Sequence, residues 1–485
     1  MKKNALVLLA GMGLVAGCTM TPRYTRPAAP IPAVWPTGAA YATQHVTNDY
    51  QLPDWQEFFT DEKLQQVISM ALTNNRDLRL AALNVERARS LYGIQRAELF
   101  PVINANVTGS KSRVPADLSS TGSRQTVERY DANLGVAAWE IDFFGRIRSL
   151  KDSALENYLG TEQARRSAQI LLVSSVAQSY LALAADREAL TLAETTLASQ
   201  QSSYDLIKRR HELGLVAELD LFRAQAPLEV ARRDVAIYQQ RVAQDQNALN
   251  LLAGAPVPEE LLPTALEGVS PPHQVAAGLP SDVLLRRPDI LQAEHQLKAA
   301  NADIGAARAA FFPRISLTAA IGTASSDLSG LFKSGSGAWS YAPQIVMPIF
   351  DARTWSAHTA AKVQREIAVT QYEKAIQTAF REVADTLAVR GTVDEQVAAQ
   401  QSLVNASRET HRLATSLFEQ GIDSYLGVLD AQRSLFAAQQ ALVLLRFQKV
   451  ASDVQLYAVL GGGSQTNSPS ELVAASASTD NPGAK

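Results

Sequence analysis

The chain contains one cysteine, Cys18, and its neighbours give it a chemistry. Lys2 and Lys3 make a positive start. Ala5 to Ala16 is almost wholly apolar, the right length for the core of an export signal and too short to cross a bilayer as a mature helix. Val15-Ala16-Gly17-Cys18 then sets small residues, which fit a peptidase cleft, ahead of the one nucleophile able to take a diacylglyceryl group. Residues 1–17 are expected to be a lipoprotein signal peptide, and Cys18 the lipidation site and mature N-terminus. A plain signal peptide with an incidental cysteine is the competing reading. A single lipidated cysteine leaves no disulfide to form.

Elsewhere the sequence offers no chemistry of the catalytic kind. The six histidines, His45, His211, His273, His295, His358 and His411, form no HExxH motif and share no paired spacing. There is no Walker A loop, no GxSxG and no cysteine pair for a metal. Gly11-x-Gly13 lies inside the signal peptide, so its likeness to a nucleotide loop is accidental. Few methionines remain after the signal peptide, which argues against a soft-metal site. The chain is expected not to be an enzyme and to need neither metal nor cofactor. Lys and Arg number 45 against 48 Asp and Glu, a net charge of -3 that gives no footprint for nucleic acid. After Cys18 no run of about 20 apolar residues suggests a transmembrane helix. Only 7% of residues are aromatic and alanine is abundant, a composition suited to helices packed closely side by side.

The elements that must carry any function come in two copies. Gly93, Arg96, Ala97, Phe100, Pro101 and Ile103 recur as Gly305, Arg308, Ala309, Phe312, Pro313 and Ile315. Glu212, Gly214, Leu219, Ala224, Gln225, Leu228, Ala231 and Gly254 recur as Glu419, Gly421, Leu426, Ala431, Gln432, Leu435, Ala438 and Gly461. A unit of roughly 200 residues is present twice, far longer than a solenoid repeat. Each unit reads as helix, two strands, long helix, turn, helix.

The strands alternate in polarity. Ile103, Ala105, Val107 and Gly109 oppose Asn104, Asn106, Thr108 and Ser110. Tyr130, Ala132, Leu134, Val136 and Ala138 oppose Arg129, Asp131, Asn133 and Gly135, and Ile315, Leu317, Ala319 and Ile321 oppose Ser316 and Thr318. A weaker fourth strand runs from Trp339 to Phe350. Such alternation fits lipid on one side and water on the other, and equally fits a soluble sandwich. The helices are heptad-like. Leu228, Ala231, Val235, Tyr238, Val242, Asp245, Leu249 and Leu252 form one seam, and Leu435, Ala438, Leu442, Leu445, Lys449, Ser452, Leu456 and Val459 the other. The polar entries exclude a dry two-stranded zipper. Ser153 to Leu213 reads as a helix of about 90 Å, with Ala217 to Ala253 and Asp77 to Leu99 covering about 55 and about 35 Å beside it. Ala357 to Gln420, Tyr425 to Leu460 and Asp289 to Phe311 repeat the pattern.

Together these features resemble one family. Asn75-Arg76-Asp77-Leu78-Arg79, Trp139-Glu140-Ile141-Asp142-Phe143-Phe144-Gly145-Arg146, Arg287-Pro288-Asp289-Ile290, Ala307-Arg308-Ala309-Ala310-Phe311-Phe312-Pro313, Leu429-Asp430-Ala431-Gln432-Arg433-Ser434 and Gly461-Gly462-Gly463 resemble the TolC family of outer-membrane factors, in its OprM-like lipoprotein branch. The resemblance covers Cys18 to Gly463. It implies an α+β membrane protein: a homotrimer in which each protomer gives four strands to a twelve-stranded β-barrel, continuous with a long α-helical periplasmic tunnel. It implies a periplasmic adaptor and an inner-membrane pump of the resistance-nodulation-division type as partners. Thr19 stands where Asp would retain a lipoprotein at the inner membrane, so by the same resemblance the anchor meets outer-membrane lipid. Independently, four strands cannot close a membrane barrel, for which about eight is the minimum. An open edge in lipid is not tolerated, so several copies are needed, and only the resemblance chooses three.

The expected organisation is a lipidated, Pro-rich tether and equatorial segment over 18–60, a first repeat over 61–254 and an equatorial linker over 255–280. A second repeat over 281–463 and a disordered tail over 464–485 complete it. Strands are expected at about 101–113, 129–143, 313–325 and 339–350. The turns at 214 and 421 each join two long helices at a glycine suited to the left-handed conformation. Gly214, Leu215, Val216, Gly421, Ile422 and Ser424 are the expected adaptor-contacting tip. A turn facing bulk solvent is the plainer reading. Leu426, Asp430 and Arg433, at i, i+4 and i+7, share one helical face. By resemblance that face points into the narrowing tunnel, where Leu426 closes it and Asp430 needs pairing by Arg433 or Arg223. An ordinary solvated ion pair is the alternative there. The implied function is the exit duct of a multidrug efflux system. A duct for type I protein secretion and a coiled-coil lipoprotein bracing the envelope are the rivals, with a lipid-anchored enzyme a distant third.

Overall fold

A computed structural model describes residues 19–41, 52–273 and 281–462. The signal peptide, Cys18, the end of the linker and the tail lie outside the described residues. The main helices are α1 (Trp55–Phe58), α2 (Glu62–Asn74), α3 (Arg76–Ala97), α4 (Arg146–Glu212), α5 (Glu218–Ala253), α6 (Pro288–Ala309), α7 (Ala352–Glu419) and α8 (Tyr425–Val459). Strands β1 (Ile103–Val114) and β2 (Gln125–Glu140) lie between α3 and α4. Strands β3 (Arg314–Ser325) and β4 (Gly337–Val346) lie between α6 and α7. The order helix, two strands, long helix, helix thus runs twice. The residues fall into two compact units.

The first unit holds the sheet and the helix ends that feed it, with Asn84–Glu162 and Gln292–Glu373 as its larger segments. Its four strands run antiparallel in the order β1-β2-β3-β4. Directly opposed residues share a face, so the register shows what each face carries. One row is Ile103, Val136, Ala319, Tyr341; the next is Ala105, Leu134, Ile321, Trp339. That face is apolar, and its side chains are bare: Val107 is 79% exposed and Trp339 80%. The opposite face carries Asn104, Asn106, Asp131, Asn133, Thr318 and Ser340. Among the described residues no strand pairs with the outer edge of β1 or of β4.

One residue resets this alternation. Three steps along β2, from Val136 to Trp139, oppose two along β3, from Ala319 to Leu317. The extra residue is a β-bulge, and Ala138 takes the left-handed φ of 50° there. The sequence predicts unbroken alternation through Ala138, which would put Glu140 on the apolar face. The bulge instead turns Trp139 to the face of Leu317 and Glu140 to the face of Ser316. Glu140, nearly buried, then takes a forked pair from Arg146, with Nε–Oε1 at 2.9 Å and Nη2–Oε2 at 2.8 Å. Arg314 adds a contact at 2.6 Å. Asp142 accepts from the Arg148 backbone N–H at 2.9 Å, capping the first turns of α4, and Phe144 stacks on Phe312 at 4.9 Å. Gly145, at φ 77°, lets the chain turn from strand to helix. The expected start of α4 at Ser153 is therefore late by two turns.

The first unit also includes an N-terminal strap. The Asn301 amide donates to the carbonyl of Pro22 at 2.8 Å, and Thr21 meets Ser149 at 3.0 Å. Arg26 reaches Glu294 at 2.6 Å and the Tyr372 hydroxyl at 3.0 Å. Two basic side chains, Arg26 and Lys298, hold the Glu294 carboxyl below its usual range despite burial. Gly305 has no room for a Cβ, which would lie 2.2 Å from Thr21 Oγ1. The Pro-rich segment is pinned along α6 at this end.

The second unit is helical, with Ala29–Leu83, Gln163–Leu291 and the residues from Lys374 onward as its segments. Phe58 stacks on Tyr457 at 4.1 Å, and Phe59 meets the same ring edge-on at 6.2 Å. Trp35 stacks on Phe380 at 4.9 Å. Arg287 ties the chain where α6 begins, bonding Asp289 at 2.7 Å, Glu382 at 3.0 Å and the Val459 carbonyl at 2.5 Å. Helix α4 contains a window long and apolar enough to cross a membrane, contrary to the sequence expectation. Its Val173, Val176, Ala177, Tyr180 and Ala184 are buried against neighbouring segments, so packing accounts for the apolar run. The heptad positions Leu228, Ala231, Leu249, Ala438, Leu442 and Leu456 are buried, and Lys449 is exposed. Asp245, another seam position, is half-buried, and burial, together with the neighbouring Asp186, pushes its carboxyl up to about 6.

Candidate functional site: the two helical hairpin tips

Both long helices of the second unit end in the same way. At the end of α4, the Leu215 N–H bonds the Arg210 carbonyl at 2.8 Å, and the Gly214 N–H bonds that of His211 at 2.8 Å. At the end of α7, the Ile422 N–H bonds the Leu417 carbonyl at 2.9 Å, and the Gly421 N–H bonds that of Phe418 at 3.0 Å. This pair of crossed bonds is a Schellman motif, which satisfies the last carbonyls by turning one residue left-handed. Gly214 has φ 71° and Gly421 φ 75°. Ala217 and Ser424 then start α5 and α8 without a side-chain cap.

A small core holds the tips. Ile207, Ala224, Tyr425 and Val428 are buried together, with Tyr204, Val216, Ala414, Phe418 and Leu429 around them. Phe418 lies 5.2 Å from Tyr425, and the Arg210 guanidinium sits 5.1 Å from the Phe418 ring centroid. Val216 belongs to this core, and its carbonyl lies 3.2 Å from His211 Nδ1. The apolar residues at the crests are bare: Leu215 is 68% exposed and Ile422 69%. A Schellman motif commonly tucks this position back onto the helix. Here it points outward, as Leu213 also does.

Beyond the second turn, Leu426, Asp430 and Arg433 are placed on one face of α8. Leu426 is 54% exposed. Asp430 Oδ1 and Arg433 Nη2 are 2.5 Å apart, with both side chains mostly in solvent. Arg223, the other expected partner, pairs instead with Asp220 at 3.4 Å. Asp430, Arg433 and Arg223 nevertheless line one cavity of about 410 Å³ formed by α4, α5 and α8. The sequence reading missed this cavity and the Glu140 cluster. The signal for the cluster was present in Glu140 and Arg146, six residues apart around a Gly-containing turn. The cavity depends on residues distant in the chain and left no local trace.

Comparison with known proteins agrees with this architecture. Residues 67–255 and 279–462 match the family of outer membrane efflux proteins. The solvent efflux pump outer membrane protein SrpC of Pseudomonas putida is 50% identical over 466 residues, covering 96% of this chain and 99% of that protein. A crystal structure of a membrane protein from Pseudomonas aeruginosa aligns with a TM-score of 0.86 at 41% identity, over 92% of this chain and 98% of that one. The open state of the Neisseria gonorrhoeae MtrE outer membrane channel aligns with a TM-score of 0.82 at 36% identity, over 92% and 98%. One four-stranded sheet with both outer edges unpaired among the described residues, long helical hairpins and these matches place the chain in the outer membrane efflux protein family, the TolC-like channels of efflux pumps.

Proposed function

We propose that this chain is the exit duct of a tripartite efflux system, carrying small apolar molecules from an inner-membrane pump of the resistance-nodulation-division type, through a periplasmic adaptor, to the outside. The observation that carries the reading is the sheet. Its one face is apolar in row after row, its other face is polar, and both edges lack a partner among the described residues. Such a sheet satisfies its backbone in hydrocarbon only by closing with further strands. Three copies give a twelve-stranded barrel with the polar face around a water-filled lumen. The twofold run of helix, strands and hairpin supports two structural repeats per protomer, divided as 61–254 and 281–463.

The tip is the adaptor contact. Leu215, Ile422 and Ser424 stand at the crests, Gly214 and Gly421 shape them, and Val216 seats the first from beneath. Leu426, Asp430 and Arg433 form the resting gate, with Leu426 as the steric part and the Asp430–Arg433 pair neutralising charge. Cys18 carries the lipid, one residue before the pinned segment that begins at Thr19. The names of relatives mention solvents, toluene and antibiotics, and cargo of that kind is expected here.

The test is the purified protein in detergent. Its mass by light scattering should correspond to three chains, and reconstitution in planar bilayers should give a small resting conductance. A monodisperse monomer without conductance overturns the duct. Mass spectrometry of the N-terminus should find acylated Cys18.

A further inference from the structure

The foot of the sheet carries cations that neither the sheet nor the hairpins use. Helix α6 enters β3 through Phe311, and β4 leaves for α7 through Ile349 and Phe350, which are 88% and 87% exposed. The Phe311 ring joins the two helices here. Trp355 meets it edge-on at 5.1 Å and His358 at 5.7 Å. The Phe311 N–H bonds the Arg308 carbonyl at 3.1 Å, and Lys362 follows His358 by one turn of α7. Burial, then the nearby Lys362 and Arg308 charges, hold the His358 imidazole below its ordinary range. The two cations that His358 feels have no carboxylate against them among the described residues. Arg353, also on α7, differs in being held by Asp351 at 3.0 Å. A last-turn arginine such as Arg308 suits the end of any helix. Lys362, in the third turn of α7 and exposed, has no such reason to be there.

The surroundings say what kind of anion fits. Trp355 is 66% exposed, and an exposed tryptophan close to basic side chains marks a boundary between membrane and water. The apolar face of the sheet and the bare Ile349 and Phe350 supply the hydrocarbon side of that boundary. Arg308 Nη1 also donates to the Met20 carbonyl at 3.5 Å, two residues from Cys18, where the acyl anchor is placed above. We propose that Arg308 and Lys362 bind the phosphate of an anionic phospholipid in the periplasmic leaflet, with its glycerol and upper acyl carbons packed on Trp355. A free phosphate would gain the charge and nothing from the aromatic and aliphatic part of the surface. The proposal rests on the membrane reading of the sheet.

The experiment reads tryptophan fluorescence of the full-length protein in phosphatidylcholine vesicles that contain a minor share of phosphatidylglycerol. Bromine, a quencher, is placed on the acyl chains of one lipid or of the other. Trp355→Phe measured in parallel isolates the Trp355 signal. The quenching should show phosphatidylglycerol enriched about tenfold beside Trp355, each cation supplying about three- to fivefold. Lys362→Gln should lower the enrichment by that factor, and adding Arg308→Gln should bring it to parity, with resting conductance kept. Lys362 is exposed, so its variant tests the site even where Arg308→Gln fails to assemble. Inorganic phosphate at constant ionic strength should leave the enrichment unchanged; its loss would mark a free-anion site and overturn the lipid. Equal quenching by both labels in a conducting channel overturns the site and leaves the duct standing. Quenching by neither sets the start of α7 away from the bilayer, and overturns the membrane reading along with the site.

Discussion

The two hairpin tips have one backbone solution and two different sets of side chains. Gly214 and Gly421 have nearly the same φ, and the carbonyls of Arg210 and Leu417 are satisfied in the same way. Each crest carries one bare aliphatic residue, Leu215 or Ile422. One turn further on they part. Arg223 of α5 occupies the place that Asp430 takes in α8, and each pairs with a neighbour on its own helix. The shared part is what a helix end needs in order to reverse. The divergent part suits the proposed gate, since a ring of identical side chains would offer only like charges. On the gate proposed above, geometry at the tips is structural and charge beyond them is functional.

The strongest way to break this comparison is to burden the crests. Leu215→Glu or Ile422→Glu should each cost export heavily, and the double variant should abolish it, with the oligomer intact by size-exclusion chromatography. Cross-linking to the adaptor should fall in parallel; export at parental level in the double variant would show that the crests face solvent. Gate variants come next. Leu426→Ala with Asp430→Ala should raise resting conductance several-fold in planar bilayers, while Leu219→Ala with Arg223→Ala should leave it near the parent. Equal effects from both pairs would place the gate elsewhere.

Smaller effects sharpen the structural half. Gly214→Ala and Gly421→Ala should each destabilise by about 1 kcal/mol, because a Cβ strains the left-handed conformation. Thermal unfolding should give similar losses at both tips. Asp245→Asn should stabilise at pH 7.5, since a carboxyl raised to about 6 in the folded state resists ionising there. Folding takes up a proton between the unfolded value and about 6, so wild-type stability falls as pH rises through that window and is level above it. The advantage of the variant should be about 1 kcal/mol after screening by solvent, and should vanish near pH 4. Smallest is the Asp430–Arg433 coupling. A double-mutant cycle on stability should give about 0.3–0.5 kcal/mol, and its loss in high salt would mark it as a surface pair.

Much of this molecule was legible because helices and strands impose periods on sequence. Leu228, Ala231 and Leu249 mark a seam, and Ile103, Ala105 and Val107 mark a face, from spacing alone. Gly214 and Gly421 marked the tips because few other residues accept their φ. Ala138 was illegible for the converse reason. It is not the glycine or asparagine expected at positive φ, and one extra residue leaves alternation intact on either side of it. The strap reads in the sequence as an extended Pro-rich tether, since nothing local in Tyr24, Arg26 or Trp35 says that Glu294, Tyr372 and Phe380 lie opposite. Nothing local in the sequence sets Gln200 or Gln432 apart from other amides on long helices, yet both are buried. Only the approach of α4 to α8 removes their water.

The sheet's bare edges bear on how the protein comes to exist at all. A chain that reached the bilayer alone would carry two rows of unpaired peptide groups into hydrocarbon, and one waiting in water would display a greasy face. Neither species can accumulate without aggregating. Under the proposed closure between copies, insertion and strand pairing proceed as one concerted event, with a rate that climbs steeply with the local number of chains. On that reading, the yield of functional channels should follow expression level and delivery route more closely than the stability of the folded chain.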